Sequence, residues 1–396
     1  MSLNLNHPEF FQNPYPYYAQ LRSTGRPFWL PHEQESSSQG VWLFSRYADA
    51  LAIFKQTTAI SKNIRAIRPP GTSTPFDLHV LHRDGADHLR LRRLVADYFS
   101  IQHLNHIESR IQNVADALVR GMKEKCAFNL IADFAEQMPL LTIANLIGVP
   151  AEDMPQVRTW SLALGDGFDS VLTTREVIER QKHALLAFLD YAREMIETKR
   201  RHPDNSLLGY ITAAEKEGEI THDELIAMTG FLLFSGHETT INLIGNGLWL
   251  LLSNPDQWRL LQREPKHMSS AIEEILRYES PEQRTSFRIT VEPLEINGAR
   301  MEPGQQVGII IGAANRDDEE FANPDIFDIR RNPQRHLAFG LGIHNCLGKT
   351  LARTEARIAF SKIIEHLPTL RLVESRPSWR KNSFFRGLES LPARLK

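Results

Sequence analysis

Apolar residues recur at helical spacing through most of the chain. One stretch places them three and four positions apart, on a single helical face: Ile107, Ile111, Val114 and Leu118. A second amphipathic run, residues 180–205, contains Pro203, which cannot continue a helix and so predicts where that helix ends. Because such segments dominate, the sequence predicts a mainly α-helical protein.

The longest apolar stretch, residues 225–252, is long enough to span a membrane. His237 and Glu238 lie at its middle, however, and an ionised side chain is costly inside a lipid bilayer. The stretch is therefore predicted to be a helix buried at the centre of the protein.

Patterns typical of strands are confined to small patches, of which residues 286–311 form the clearest. Within this patch Asn297-Gly298 predicts a tight hairpin turn, and Pro303-Gly304 predicts a second turn. The chain is thus expected to carry a minor β region. No strand, glycine loop and helix follow one another in the order of a Rossmann unit, so this chain is not expected to bind a nicotinamide cofactor itself.

Composition and charge narrow the functional classes. The chain has 396 residues and a net charge of −2, with 42% hydrophobic and 24% charged residues, as in ordinary globular proteins. This balance gives no general attraction to nucleic acid or to an anionic membrane. The two cysteines, Cys126 and Cys346, are far apart, which argues against a disulfide framework and suits a reducing cytosol. The opening residues lack the basic start and apolar run of a signal peptide, so a cytoplasmic protein is expected.

Residues 336–348, HLAFGLGIHNCLG, surround Cys346 with glycine and histidine. The glycines at 340, 342 and 348 allow a positive φ and the close approach of a flat group. A helix is expected to follow, and the free amides at its N-terminus would favour the thiolate form of Cys346. The segment is therefore the strongest candidate for chemistry in the chain.

Three alternatives apply to Cys346 on the residues alone. It could be a small buried apolar side chain, the commonest role of a free cysteine. A zinc site with His336 and His344 is a poor fit, since their spacing is unlike that of structural zinc sites. A nucleophilic role, with His344 as the base, stays open.

The segment FGLGIHNCLG resembles the haem-binding loop of the cytochrome P-450 family, Phe-x-x-Gly-x-x-x-Cys-x-Gly, which it matches at Phe339, Gly342, Cys346 and Gly348. Three further motifs follow in the family's order and spacing, so the resemblance covers nearly the whole chain. It implies that Cys346 is the thiolate ligand of the iron in haem b, with Phe339 packed against the sulfur. It also implies that amides after the cysteine, at Gly348 among others, tune that sulfur. A thiolate donates electron density to iron and favours O–O cleavage.

The segment SGHETT, residues 235–240, resembles the family's oxygen-binding motif in the central helix. A glycine in a helix interior costs about 1 kcal/mol, so Gly236 suggests that a flat group passes close to the backbone there. The resemblance implies that Glu238 and Thr239 are the acid–alcohol pair that binds O₂ and relays protons to it. From the residues alone, the hydroxyl of Thr239 could instead bond to the carbonyl of Ser235.

A third motif, EEILR, places Glu274 and Arg277 three residues apart on one helical face. The same spacing is common in surface ion pairs, which contribute little to stability. The resemblance implies that these two residues and Arg331 tie together the scaffold of the cysteine loop. Their roles are therefore expected to be structural.

A fourth motif spaces His88 and Arg92 four residues apart, as in the family's His-x-x-x-Arg helix. A solvated basic face is the alternative. The resemblance implies that both residues, with Arg288 and His344, hold the two haem propionates. Four further basic residues would point toward the protein surface on the cysteine side of the haem, where an acidic ferredoxin or flavodoxin could dock: Arg90, Arg93, Lys349 and Arg353.

The resemblance as a whole implies a haem-thiolate monooxygenase, a single domain over residues 1–396 built as a triangular prism of helices around the haem. It would insert one oxygen atom from O₂ into a C–H or C=C bond of an apolar small molecule. Electrons would come from NAD(P)H through a reductase and the ferredoxin or flavodoxin. Secondary-metabolite or fatty-acyl biosynthesis is the expected context, for a monomer that binds neither nucleic acid nor membrane. A peroxygenase that uses H₂O₂ and a haem-based sensor without turnover are the alternatives, and Glu238 and Thr239 argue against both.

The substrate pocket is expected to be shaped by residues 62–81 and 162–179, whose mixed composition identifies no particular molecule. Arg65 and Arg68, in the first of these segments, could bind a carboxylate or the phosphate of a carrier protein. A solvated loop is the simpler interpretation of both arginines.

Overall fold

The computed structural model describes residues 7–31, 40–63, 65, 73–125, 127–169, 174–374 and 376–395, except for the side chain of His106. Helices dominate these residues, as predicted. The α-helices are α1 (Pro8–Gln12), α2 (Tyr15–Ser23), α3 (Tyr47–Phe54), α4 (Gly85–Ala96), α5 (Ile101–Lys123), α6 (Gln137–Ile147), α7 (Met154–Asp166), α8 (Arg175–Arg201), α9 (Leu207–Lys216), α10 (His222–Ser235), α11 (Glu238–Ser253), α12 (Pro255–Arg263), α13 (Met268–Tyr278), α14 (Ile311–Ala314) and α15 (Lys349–His366). Both predicted amphipathic runs are confirmed, one within α5 and the other within α8, which ends two residues before Pro203.

The strands are short and form a minor β region, as predicted. They are β1 (Phe28–Pro31), β2 (Gly40–Phe44), β3 (Ile60–Ser61), β4 (Phe128–Asn129), β5 (Arg288–Thr290), β6 (Leu294–Ile296), β7 (Ala299–Met301), β8 (Gln306–Ile309), β9 (Arg371–Leu372), β10 (Ser378–Trp379), β11 (Leu388–Ser390) and β12 (Pro392–Arg394). The largest sheet has the order β1-β2-β8-β5-β3, in which β2 and β8 are parallel and the other pairs antiparallel. It therefore joins the N-terminal part of the chain to the strands predicted between residues 286 and 311.

The turn between β6 and β7 confirms the predicted hairpin. Asn297 and Gly298 both have positive φ angles, of 48° and 77°, as a two-residue hairpin turn with the right-handed twist of its strands requires. Gly304, in the second predicted turn, has a φ of 91° and leads into β8.

The central apolar stretch is buried, but the prediction of one continuous helix is wrong. It forms α10 and α11, separated by Gly236 and His237. A side chain at Gly236 would lie 2.4 Å from Cδ1 of Ile143 on α6, and 2.8 Å from the carbonyl oxygen of Leu232. A side chain at position 236 would thus crowd both of these neighbours, and the predicted close approach of a flat group to Gly236 stays a prediction.

A buried ion cluster fixes the end of α13 to the loop that precedes Cys346. Arg277 donates to both carboxylate oxygens of Glu274 at 2.8 Å, and both side chains are fully buried. Arg331 donates to the same carboxylate at 3.2 Å. The predicted structural role of these three residues is confirmed, although the pair is far from the surface.

Glu355 is a buried carboxyl on α15 that faces Thr142 of α6. The side chain is fully buried, and among the described residues neither carboxyl oxygen has a hydrogen-bond partner. Thr142 gives its own proton to the carbonyl oxygen of Met138 at 2.9 Å. Burial therefore raises the pKa of Glu355 to about 8.

None of the helices in the described parts of the chain combines the length and the apolar character that a membrane span needs.

Candidate active site

One cavity of about 270 Å³ lies between the break of the central helices, the cysteine loop and the approach to β5. Its polar wall residues include most of those singled out in the sequence, namely His88, Arg92, Glu238, Thr239, Arg288, His344 and Cys346. Gly236, Phe339 and Gly348 also line it. Residues separated by more than 250 positions in the chain are thus brought to one place.

Cys346 faces this cavity from the loop before α15. Its side chain is exposed, but the surface to which it is exposed is the cavity wall, deep within the protein. The Cys346 amide donates to the carbonyl oxygen of Phe339 at 2.8 Å, which closes the loop. Gly340 and Gly342 have the predicted positive φ angles, of 64° and 79°.

Two opposing effects act on the predicted thiolate form of Cys346. The helix begins at Lys349, with Gly348 as its cap, so the sulfur lies before the first turn. Burial raises the pKa of the thiol to about 11, which outweighs the hydrogen bond from the Gly348 amide. Gly348 has a φ of −81°, so it contributes this amide and not a positive φ.

The alternative roles of Cys346 find no support in the geometry. Nε2 of His344 contacts Asp84 at 3.2 Å, and among the described residues Nδ1 has no partner, so neither nitrogen is hydrogen-bonded to the thiol. Within the described residues, no group of three or more histidine, cysteine, aspartate or glutamate side chains could hold a metal ion.

Four basic side chains on the cavity wall have nitrogen atoms or N–H groups that are available to hydrogen-bond a bound molecule. His88 is buried on α4, and among the described residues neither of its ring nitrogens has a partner. Its ring lies 4.4 Å from that of His344. Burial lowers the pKa of Arg92 and lowers that of Arg288 to about 10, as expected for buried cations that lack a full counter-charge. Arg92 donates to Asn345 at 2.6 Å and Arg288 to Thr285 at 3.1 Å, which leaves further guanidinium protons for an anion.

Thr239 lies in the first turn of α11 and is partly exposed to the cavity. In the part of the chain that the structure describes, its hydroxyl does not bond to the carbonyl of Ser235. The hydroxyl is therefore available to a group bound in the cavity.

Glu238 is held as a carboxylate between two arginines. Arg158 of α7 bonds to one carboxylate oxygen and Arg380 to the other. Burial alone would raise the pKa of Glu238, but the charges of Arg380 and Arg158 lower it to about 2. At neutral pH this side chain accepts hydrogen bonds and does not donate a proton.

Sequence reasoning missed Arg158 and Arg380, which lie 80 and 142 positions from Glu238. It also missed Glu282, whose carboxyl group lies on the cavity wall after α13. Arg158 lies within α7, Arg380 follows β10, and Glu282 lies in a polar segment. Charged residues at such places are usually solvated, so no local signal marks these three.

The predicted docking surface is only partly available. Arg90 is bound to Glu224 at 2.7 Å. Arg353 pairs with Glu273 at 2.7 Å and lies 4.5 Å over the ring of Phe339. These two arginines thus serve internal contacts, while Arg93 is exposed and Lys349 is partly exposed.

The predicted pocket segments contribute several wall residues. Lys62, Phe76, His79 and Phe168 line the cavity, whereas Arg65 is exposed and is not part of its wall. Arg68 lies outside the described residues.

Comparisons with known proteins agree with this geometry. A sequence model of the family described as Cytochrome P450 matches residues 164–386. The chain is 37% identical to the vitamin D(3) 25-hydroxylase of Pseudonocardia autotrophica, over 98% of this chain and 94% of that protein. It is 35% identical to the cytochrome P450 monooxygenase PikC of Streptomyces venezuelae, over 98% and 92%.

A solved structure extends the similarity to the whole fold. The chain superimposes with a TM-score of 0.92 on a myxobacterial cytochrome P450, CYP267B1, that was crystallised with myristic acid. The two chains are 36% identical, and the match covers 99% of this chain and 98% of the other.

Proposed function

The chain belongs to the cytochrome P450 family of haem-dependent monooxygenases, and from this membership we propose that it hydroxylates or epoxidises an apolar small molecule in secondary-metabolite or fatty-acyl biosynthesis. The observation that carries the proposal is a single cavity wall on which the Cys346 thiol, the unpartnered ring of His88 and the free hydroxyl of Thr239 meet. Members of this family share the fold and bind haem, and the cavity of this chain contains side chains that could bind haem.

The donor set of the cavity fits haem. Cys346 would ligate the iron, and coordination to a metal deprotonates a thiol whose pKa burial otherwise keeps high. The two propionates would be held by the spare guanidinium protons of Arg92 and Arg288. Both ring nitrogens of His88 and Nδ1 of His344, which have no partner among the described residues, would complete this set. Bound in this way, haem supplies the one-electron and O₂ chemistry that protein side chains lack.

Thr239 is the proposed donor of a hydrogen bond to the oxygen being activated. Its hydroxyl can hold a proton at Oγ1 and take another from a neighbouring water, because a hydroxyl both donates and accepts. While both arginines are bound to the Glu238 carboxylate, Glu238 does not supply this proton, since its pKa is about 2. The carboxylate is instead proposed to accept a hydrogen bond from the group that supplies the proton and so to orient that group. Withdrawal of either arginine would raise its pKa, because burial alone acts in that direction.

Electron supply and location complete the proposal. A ferredoxin or flavodoxin with its NAD(P)H reductase would deliver the electrons, and the exposed Arg93 and the partly exposed Lys349 support docking of an acidic partner. The two distant cysteines support a reducing cytoplasmic setting.

Two measurements on the purified holoprotein test the proposal. The reduced carbon monoxide complex should show the strongly red-shifted Soret band of thiolate-ligated haem, and a band typical of histidine ligation would contradict the assignment of Cys346. Product formation should then require NADH, surrogate redox proteins and O₂. Equal turnover with H₂O₂ alone would indicate a peroxygenase, and ligand binding without any product would indicate a sensor.

A further inference from the structure

Glu282 places a carboxyl group on the wall of the cavity. It lies in the extended segment between α13 and β5, where its backbone bridges to Phe385. Its charge acts on Lys62, Arg288 and Cys346, all of which line the same cavity. Glu282 thus lines the cavity together with these three residues and is partly exposed there.

Three cations act on this carboxyl group, but the hydrogen bonds that they donate within the described residues go to other groups, and the spare protons of Arg288 are assigned above to a haem propionate. Lys62 gives its ammonium protons to the carbonyl and hydroxyl oxygens of Ser286, at 2.9 and 2.5 Å. Arg288 donates to Thr285 at 3.1 Å. The third, Arg284, donates to the carbonyl oxygen of Phe168 at 2.9 Å and lies 3.9 Å from Asp169.

Among the described residues, no side chain donates a hydrogen bond to the carboxylate of Glu282. Burial consequently raises its pKa to about 7, against the opposing charges of Lys62 and Arg288. A carboxylate withdrawn from bulk solvent without a hydrogen-bond partner is costly, so a donor supplied by a bound molecule would stabilise its charged form.

The cavity wall around Glu282 is rich in aromatic rings. Phe168 stacks on Phe234 with the ring centres 5.6 Å apart, and Phe384 lies 5.5 Å from Phe168. Phe385 continues the same wall. The faces of aromatic rings attract organic cations. A carboxylate attracts the same cations through its negative charge.

We propose that Glu282 is the residue that recognises the substrate, and that the substrate is an apolar molecule bearing a protonated amine. The inference deepens the proposed function and rests on it. The aromatic wall takes the apolar body of the molecule, and Glu282 binds its ammonium group through a charge-assisted hydrogen bond. An anionic group is disfavoured at this place because it would face the Glu282 carboxylate, and because Lys62 has already given its protons to Ser286.

Ligand-induced shifts of the Soret band test this inference without any need for turnover. The probes are N,N-dimethyldodecylamine, the neutral N,N-dimethyldodecanamide and the anionic tetradecanoate. The two methyl groups on the amine nitrogen hinder its direct coordination to the iron. If coordination did occur, it would be recognised by a red shift of the Soret band. The wild-type holoprotein should bind the amine at least about ten-fold more tightly than either other probe, as one charge-assisted hydrogen bond allows.

Variants at Glu282 separate recognition from general damage. Glu282→Gln should bind the amine about ten-fold more weakly, which is the effect expected from the loss of one charge-assisted hydrogen bond. Its affinity for the amide should stay unchanged. Glu282→Asp, which keeps the charge, should retain part of the preference. Glu292→Gln removes the same charge from an exposed glutamate and should leave all three affinities unchanged. Haem content and the carbon monoxide band should match wild type in each variant.

Three outcomes would overturn the inference. The first is an unchanged preference for the amine in Glu282→Gln. The second is a preference of the wild-type protein for the amide or for tetradecanoate. The third is loss of haem in both Glu282 variants, because that result would assign the carboxyl group to cofactor binding. A failure of the proposed function looks different, since amine preference would persist in a protein that forms no product. Product formation without amine preference would remove only the role of Glu282.

Discussion

Replacement of Glu355 by glutamine should make the protein more stable at alkaline pH. The carboxyl group is fully buried with a pKa of about 8, against 4.5 for an ordinary glutamate. Its folded-state pKa is raised, so the folded state binds the proton more tightly, and stability is lost as pH rises from about 4.5 to 8. At 1.36 kcal/mol per pKa unit, the loss amounts to about 5 kcal/mol. Glutamine has nearly the same shape and carries no charge at any pH, so Glu355→Gln escapes this loss.

Calorimetric melting of the holoprotein at several pH values provides the assay. An unfolding entropy of roughly 2.1 cal/mol/K per residue gives about 0.8 kcal/mol/K for a chain of this length. The loss of about 5 kcal/mol therefore corresponds to a midpoint difference of about 6 °C. We expect Glu355→Gln to melt within about 1 °C of wild type at pH 5 and about 6 °C above it at pH 8.5.

The matched control lies on the same helix. Glu365 is exposed near the end of α15, and Glu365→Gln should leave the difference from wild type independent of pH. If Glu355→Gln melted in parallel with wild type across the pH range, or below it at pH 8.5, Glu355 would not be the source of the alkaline loss of stability.

The remaining predictions concern the cavity. Cys346→His should lose the red-shifted carbon monoxide band while it still binds haem, as absorbance of the reduced complex will reveal. In Thr239→Ala, substrate binding and NADH use should persist, but product per NADH should fall and H₂O₂ should rise, by up to about 10²–10⁴-fold in the proton-transfer step; full coupling would show that another hydroxyl or a water serves this role. Arg380→Leu removes one of the two charges that hold the pKa of Glu238 at about 2. The acidic limb of its turnover profile should therefore move to higher pH, and an unmoved limb would show that Arg158 alone fixes this carboxylate.

The sequence predicts best what depends on local chemistry. Helical spacing identified α5 and α8, and the Asn297-Gly298 pair identified the hairpin, because both signals lie within a few residues of one another. Motif spacing also indicated which distant residues meet, since the resemblance carries a known arrangement with it.

What the sequence could not predict depends on partners far along the chain. Strands β1 and β2 are only four and five residues long, and β2 pairs with β8 about 265 positions later. Glu238 acquires its low pKa from Arg158 and Arg380, which no local pattern marks. The burial that raises the pKa of the Cys346 thiol is likewise not marked by any local pattern.

The contact between Gly236 and Ile143 has a consequence for the evolution of the chain. A methyl group at position 236 would overlap the Ile143 side chain, so the two positions are expected to covary among homologues. Alanine at 236 should be found together with a smaller residue at 143, and with a slightly wider turn at Leu232. In the laboratory, Ile143→Ala should act as a partial second-site suppressor of Gly236→Ala, because the contact with the Leu232 carbonyl oxygen would remain. Residues at the break between α10 and α11 would then have changed in pairs during the evolution of the family.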